Sequence, residues 1–306
     1  MHESVLLKES IDSLNLKEDS IIVDCTLGYG GHSSEILKQI PKGHLYCFDQ
    51  DIDAINYSKE RLSKISNNFT IIQSNFKDIK NKLNELGITK VDGFLFDLGL
   101  SSVEIDNESR GFSYMKDAPL DMRMDQSNPF SAKDVVNTYS EKDLYIIFRD
   151  YGEEKYASRI AKKIVEERNK KEIETTFELV DIIDSCIPFR DKRNGHPAKR
   201  VFQAIRIEVN KELDVFENAL KDAIDLLNVG GRVCVITFHS LEDKICKDIF
   251  KKNSEINKVF KGLPNIPYEY MPKLKVVSKN LPTELELEDN NRARSATLRI
   301  AEKIKE

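Results

Sequence analysis

VDCTLGYGGHSSEIL, residues 23–37, sets an acidic residue and three glycines between a β-branched run and a helix start. A glycine-rich turn from strand to helix brings backbone N–H groups close to a ligand, which is why nucleotide-binding sheets use it. The glycines are Gly28, Gly30 and Gly31, and Ser33 stands where a dinucleotide fingerprint wants its third glycine. Asp24, at the expected strand end, weighs more. A carboxylate aimed into a pyrophosphate pocket repels its ligand, whereas it attracts an ammonium or a sulfonium. The loop therefore favours S-adenosylmethionine over NAD or ATP.

Further strand ends supply matching groups. Short apolar runs at 21–23, 45–48, 70–72, 93–96 and 233–238 read as buried strands, with helical patterns at 34–40, 53–65 and 76–86 between the first four. That alternation predicts a parallel sheet covered on both faces. Asp49 follows the second strand, where an acidic side chain accepts the ribose hydroxyls, and Phe76 follows the third, where an aromatic packs on adenine. Asp97 ends the fourth. Plainer readings stand beside these: Asp49 as the cap of the helix at Asp53, Phe76 as core, the glycines as a tight turn only.

From Phe130 to Leu227 the signals become helical, with a capping box at Ser140–Asp143 and a start at Thr176. Strand character returns at Gly230. The expected architecture is a sheet domain, 1–106 and 204–306, interrupted by a helical insertion at 107–203 that recognises substrate, with LKVVSK and SATLRIAEK as a closing antiparallel pair. The chain has 306 residues, 40% of them hydrophobic, enough for a real core. No window reaches the roughly 18 apolar residues of a membrane span, and the start lacks a signal-peptide pattern, so the cytoplasm is the expected location and no membrane partner is expected. Five widely spaced cysteines without a CxxC indicate neither disulfides nor a metal site; they read as reduced, buried packing residues. The net charge is −5, yet residues 188–211 carry seven cations against two anions, a local +5.

The motifs MHESVLL, DCTLGYGGHS, FDQD, DLGLSS, RGFSYMKDAPLDMRMD, YGEEKYASRIAKKIVEER, HPAKRVFQAIRIEVNKEL, GGRVCVITFHSLEDKICK and NNRARSATLRIAEK follow one another from His2 to Lys303. In that order they resemble the 16S ribosomal RNA cytosine N4-methyltransferase family (RsmH, also called MraW). The resemblance implies a class I S-adenosylmethionine-dependent methyltransferase, a Rossmann-like α/β sheet with a helical insertion. It implies S-adenosylmethionine as cofactor, and the N4 amine of a decoding-centre cytosine in the small ribosomal subunit as acceptor. Carried over by position, the cofactor contacts fall on Gly30, Gly31, His32, Asp49, Phe76, Asp97 and Glu104. Glu104 is a departure, because family members more often carry Gln or His there.

The N4 amine is a poor nucleophile, since its lone pair is delocalised into the ring. A hydrogen-bond acceptor on the amine draws that pair out and later helps remove the proton, a role open to Asp97 or a nearby backbone carbonyl; Asp97 is the candidate catalytic residue, with Ser101 and Ser102 as partners. The base has to leave its stack, and Phe112, Tyr114 and Phe238 are aromatic candidates to receive it. FHSLED invites a hydrolase reading through His239 and Ser240, but Ser240 to Asp243 also fits a capping box; His239 is a candidate contact to base or cofactor. PLDMRMD, with Asp121, Arg123 and Asp125, reads as a salt-bridged hinge or a substrate clamp. The run from Lys192 to Arg206, with Arg292, Arg294 and Arg299, is the expected RNA face. A DNA or small-molecule amino-methyltransferase and a noncatalytic nucleic-acid-binding module are the competing readings, and both a monomer and a homodimer stay open.

Overall fold

The short apolar runs become strands of one sheet because their side chains alternate between two apolar layers. The computed structural model describes residues 4–100, 108–192, 195–256, 258–260 and 265–306. In it β1 (Ile21–Asp24), β2 (His44–Asp49), β3 (Phe69–Gln73), β4 (Val91–Asp97) and β5 (Leu227–Thr237) run parallel. β6 (Leu274–Asn280) and β7 (Thr297–Lys303) close the sheet antiparallel, giving the order β3-β2-β1-β4-β5-β7-β6. This is the class I methyltransferase sheet, with the expected closing pair in place.

Along each strand one residue enters each layer in turn. Ile22, Leu45, Leu95 and Ile236 join one cluster, where Leu6 and, from α1 (Leu7–Ser13), α2 (Gly31–Gln39) and α3 (Ile52–Ser63), Ile11, Ile36 and Leu62 cover them. Val23, Phe48, Phe94, Phe96 and Val235 join the other, under α4 (Ile79–Glu85) and the residues Phe216, Leu220 and Ile224. Both faces are buried, as near-continuous hydrophobic strands require.

The chain divides into two units, Met1–Gly99 with Leu213–Glu306, and Leu100–Glu212. The second holds α5 (Ala132–Thr138), α6 (Glu141–Asp150), α7 (Ala157–Arg168), α8 (Thr176–Cys186) and α9 (Lys199–Asn210). Their apolar faces meet in a core that includes Val135, Phe148, Ile160, Ile183 and Ile205. The segment expected for the insertion, 107–203, lies within this unit, which extends further at both ends; at the second, α9 continues unbroken to Asn210. After it come α10 (Glu212–Leu226), α11 (Ser240–Ser254) and α12 (Glu284–Asp289).

Local details depart from expectation for identifiable reasons. β5 starts at Leu227, before the expected 233, because Gly230 and Gly231 lie inside the strand at a register shift opposite Val91 and Gly93. A Cβ on Gly231 would approach Asp92 O to 2.8 Å, so these glycines serve a bulge and not a turn. α8 is capped by Thr175, which forms a reciprocal box with Glu178, and Thr176 is already its first helical residue. Ser140 caps α6 as expected, its hydroxyl accepting the Asp143 N–H. All five cysteines are free and buried. No described helix is long and apolar enough to cross a membrane.

Candidate active site

The order of strand addition reverses between β1 and β4, and open parallel sheets bind ligands at the carboxyl ends of the strands beside such a switch. The loop after β1 is tied to its neighbours at several points. Leu27 N–H donates to Phe48 O (3.0 Å), and Gly28 N–H donates to Asp49 Oδ2 (2.8 Å). The Ser58 hydroxyl donates to Gly28 O (2.6 Å) and Arg61 to Tyr29 O (3.1 Å), so α3 clamps the loop from below. Gly28 has φ +47° with open space where a Cβ would project, and Gly30, at φ +70°, caps α2. Positive φ at both positions favours glycine. Gly31 answers a different need, since a Cβ there would meet the Ser4 side chain at 1.9 Å; this glycine lets the N-terminal segment approach.

Asp24 lies beneath the loop and is 1% exposed. Its Oδ1 accepts the Thr26 N–H (3.0 Å) and its Oδ2 the Ser33 hydroxyl (2.7 Å), so it shapes the turn instead of reaching into the crevice. Burial lifts its pKa to about 6. Asp49 receives N–H groups from Gly28 and, at 2.9 Å, Asp51, which fixes its carboxylate; burial raises its pKa. It is not the cap of α3, a role taken by Asp51. Phe76 sits in a 3-10 turn with its ring edge-on to Phe96 at 5.8 Å, partly packed on the core and partly open.

Asp97 ends β4, its N–H donating to Thr26 Oγ1 (2.7 Å). Burial first, then the Asp24 and Glu242 carboxylates, push its pKa up to about 8. Its side chain keeps 24% exposure, enough for a ligand to reach it. His32 Nδ1 lies 3.6 Å from Asp97 Oδ2. Burial lowers the imidazole to about 4, against a smaller opposing effect of the Val5 backbone, so the ring is neutral. Its Nε2 is buried without a hydrogen-bond partner among the described residues.

Glu242 is the group that inspection of the sequence missed. It is 3% exposed, and its Oε2 accepts the N–H groups of Phe238 (2.8 Å) and His239 (3.3 Å). The cap of α11 is therefore His239, not Ser240: its Nδ1 accepts the Glu242 N–H in a reciprocal box one residue earlier than expected. The signal was present as H-S-L-E, but histidine is not among the usual cap residues. Phe238 packs beside Gly99, where an added Cβ would meet its ring at 3.2 Å.

Other expected groups are engaged elsewhere. Phe112 is in the core of the Leu100–Glu212 unit, and Tyr114 stacks on His196 at 4.4 Å. Arg123 forks onto Asp121, so PLDMRMD is locally salt-bridged. Arg206 forks onto Glu212, Arg299 onto Asp243, Lys192 pairs with Asp184 and Arg200 donates to Glu153 O. Much of the expected RNA face is thus spent on internal partners. Ser101, Ser102, Glu104 and Arg193 lie outside the described residues.

Residues 1–304 match the model of the MraW methylase family. The chain is 55% identical over 307 aligned residues to the ribosomal RNA small subunit methyltransferase H of Finegoldia magna, covering 99% of this chain and 98% of that protein. Among solved structures it is similar to an rRNA methylase from Streptococcus thermophilus (12% identity, 98% and 94% coverage, TM-score 0.42). It is also similar to a Streptococcus mutans protein in complex with SAH (14% identity, 99% of each chain, TM-score 0.43).

Proposed function

The chain belongs to the MraW methylase family, and from that membership we propose that it methylates the N4 amine of a decoding-centre cytosine of 16S rRNA in the small ribosomal subunit, with S-adenosylmethionine as donor. The observation that carries this reading is Asp97: a carboxylate at a strand end, reachable from the crevice and raised by burial and by two neighbouring carboxylates. Such a group is relieved by a cationic ligand. The open space over Gly28 and the His32 Nε2, which has no partner among the described residues, also suit a polar ligand laid across the loop.

We assign the donor contacts to Gly30, Gly31, His32, Asp49, Phe76 and Asp97, with Glu104 as the family-position contact. Asp49, held by two N–H groups, keeps lone pairs for the ribose hydroxyls. Gly30 caps and Gly31 opens α2, whose first N–H groups would attract the carboxylate of the donor. When bound, S-adenosylmethionine would supply a methyl carbon bonded to sulfonium sulfur, with the neutral thioether of SAH as leaving group. Asp97, as carboxylate, accepts a hydrogen bond from the N4 amine, localises its lone pair and takes its proton once the new bond has formed. His32, neutral beside it, orients that carboxylate without competing as a cation. Most of the rate gain is positional, from holding amine and methyl carbon in line. The Leu100–Glu212 unit, inserted between β4 and β5, is our candidate for substrate recognition.

The test is transfer of labelled methyl from S-adenosylmethionine to small subunits lacking the modification, followed by mapping of the modified nucleotide. Label on the N4 of one decoding-centre cytosine is the expected result. Label only on DNA, on a metabolite or on another base would refute the substrate assignment.

A further inference from the structure

α11 turns Cys246, Ile249 and Phe250 into the core. Its opposite face presents Lys244, Lys247, Lys251 and Lys252 to solvent, and the edge strand β6 adds exposed Lys275 and Lys279. The only exposed acid on the two elements is Asp248, so their exposed charge is six minus one, +5, on a chain whose net charge is −5. Several exposed lysines elsewhere stand against acids: Lys64 on Glu60, Lys170 on Glu167, Lys221 on Glu217. Among the described residues these six make no ion pair. The carboxylate that feels Lys279 and Lys247, Asp243, is already held by both arms of Arg299.

Lysine on an edge strand discourages strand addition, which accounts for Lys275 and Lys279 but not for the four on α11. Aromatic surface lies at the same end. Lys273 N–H donates to Asn253 O (2.9 Å), joining the start of β6 to the last turn of α11. Just before it, Tyr270 is 48% exposed and stacks on Phe260 at 4.2 Å, and Tyr268 is 69% exposed. Unpaired cations beside exposed aromatic faces suit a polyanion with stackable bases.

We propose that the outer face of α11 and the β6 edge form an RNA-backbone contact surface, with Tyr270 offering its free face to an unpaired base. It rests on the RNA-substrate reading above and names a second place where that substrate is held. α11 begins at the candidate site, with Glu242 acting on Asp97, and continues from there for about 22 Å at 1.5 Å per residue. The surface therefore grips RNA beyond the target nucleotide.

The test compares the full-length protein with K247E/K251E/K275E/K279E, measuring binding to protein-free 16S rRNA and to purified small subunits between about 50 and 200 mM salt. Each lost phosphate contact lowers the log-log salt slope by about 0.7–0.9, so the slope should fall by about 3 and low-salt affinity by tenfold or more. SAH binding should not change. The corresponding quadruple Lys→Gln variant keeps the comparison readable if charge reversal perturbs folding. Unchanged affinity and slope overturn the proposal, as does a loss seen with subunits but not with protein-free rRNA, which would mean a protein partner. A wild-type protein that binds rRNA through this surface but transfers no methyl would leave the surface standing and remove the enzymatic reading.

Discussion

Asp97 is drawn two ways: its surroundings favour the protonated acid, and a cationic ligand favours the carboxylate. Its folded pKa of about 8 lies above the ordinary 3.8. Between those values the folded state keeps a proton that the unfolded state has released, so this group's contribution makes the ligand-free protein lose stability as pH rises from about 4 to 8. Binding of a sulfonium has the opposite dependence. We expect the preference for S-adenosylmethionine over SAH, which differ at this point in charge, to increase as pH rises from 6 to 8 and level off above. The limit is about tenfold per pH unit. The α-amino group common to both ligands cancels in the ratio. Calorimetric titrations of both ligands across this range decide it, and Asp97→Asn should flatten the dependence. A flat ratio in the wild-type protein would place the sulfonium away from Asp97.

At the level of elements, the turn between β1 and α2 carries the ligand-facing geometry, and its glycines are not equivalent. Gly30→Ala forces a Cβ into the left-handed region, 3.2 Å from Ser58 Oγ, and Ser58 is what holds Gly28 O. We expect a stability loss of about 1–2 kcal/mol together with several-fold weaker donor binding. Gly87→Ala supplies the control: φ is +75° but its Cβ would meet nothing within 4 Å, so stability should fall without any change in donor affinity. Urea unfolding and ligand titration on both variants separate strain from site damage. Equal effects on donor binding would show that the loop's fixed shape is irrelevant. The glycine pattern was readable in the chain, because positive φ leaves a residue-type signature. The division of labour within it was not: Gly31 answers to Ser4, and no local pattern announces that contact.

For the whole molecule, a ligand lodged at the switch between β1 and β4 should stabilise the sheet unit as one body. SAH at 100 times its dissociation constant adds about 2.7 kcal/mol, a melting shift of about 5–10 °C for a unit of this size. Differential scanning calorimetry reads it. A shift given by NAD but not by SAH would point to a dinucleotide enzyme on the same sheet.

Strand identities, the doubly wound sheet, the closing antiparallel pair and the acids at strand ends could be read directly from the chain, because hydrophobic period and turn chemistry are local properties. Other features depended on partners far apart in sequence. Asp24 looks like a ligand group until Thr26 and Ser33 occupy its oxygens. Glu242, 145 positions beyond Asp97, raises its pKa although neither neighbourhood in the chain hints at the other. Arg206 and Arg299 read as phosphate binders until Glu212 and Asp243 take them, whereas the lysines of α11 and β6 make no ion pair among the described residues and form the basic surface proposed above. A charge's identity belongs to the residue, but its availability depends on which opposite charge the fold brings within reach, and Coulomb's law is indifferent to distance along the chain.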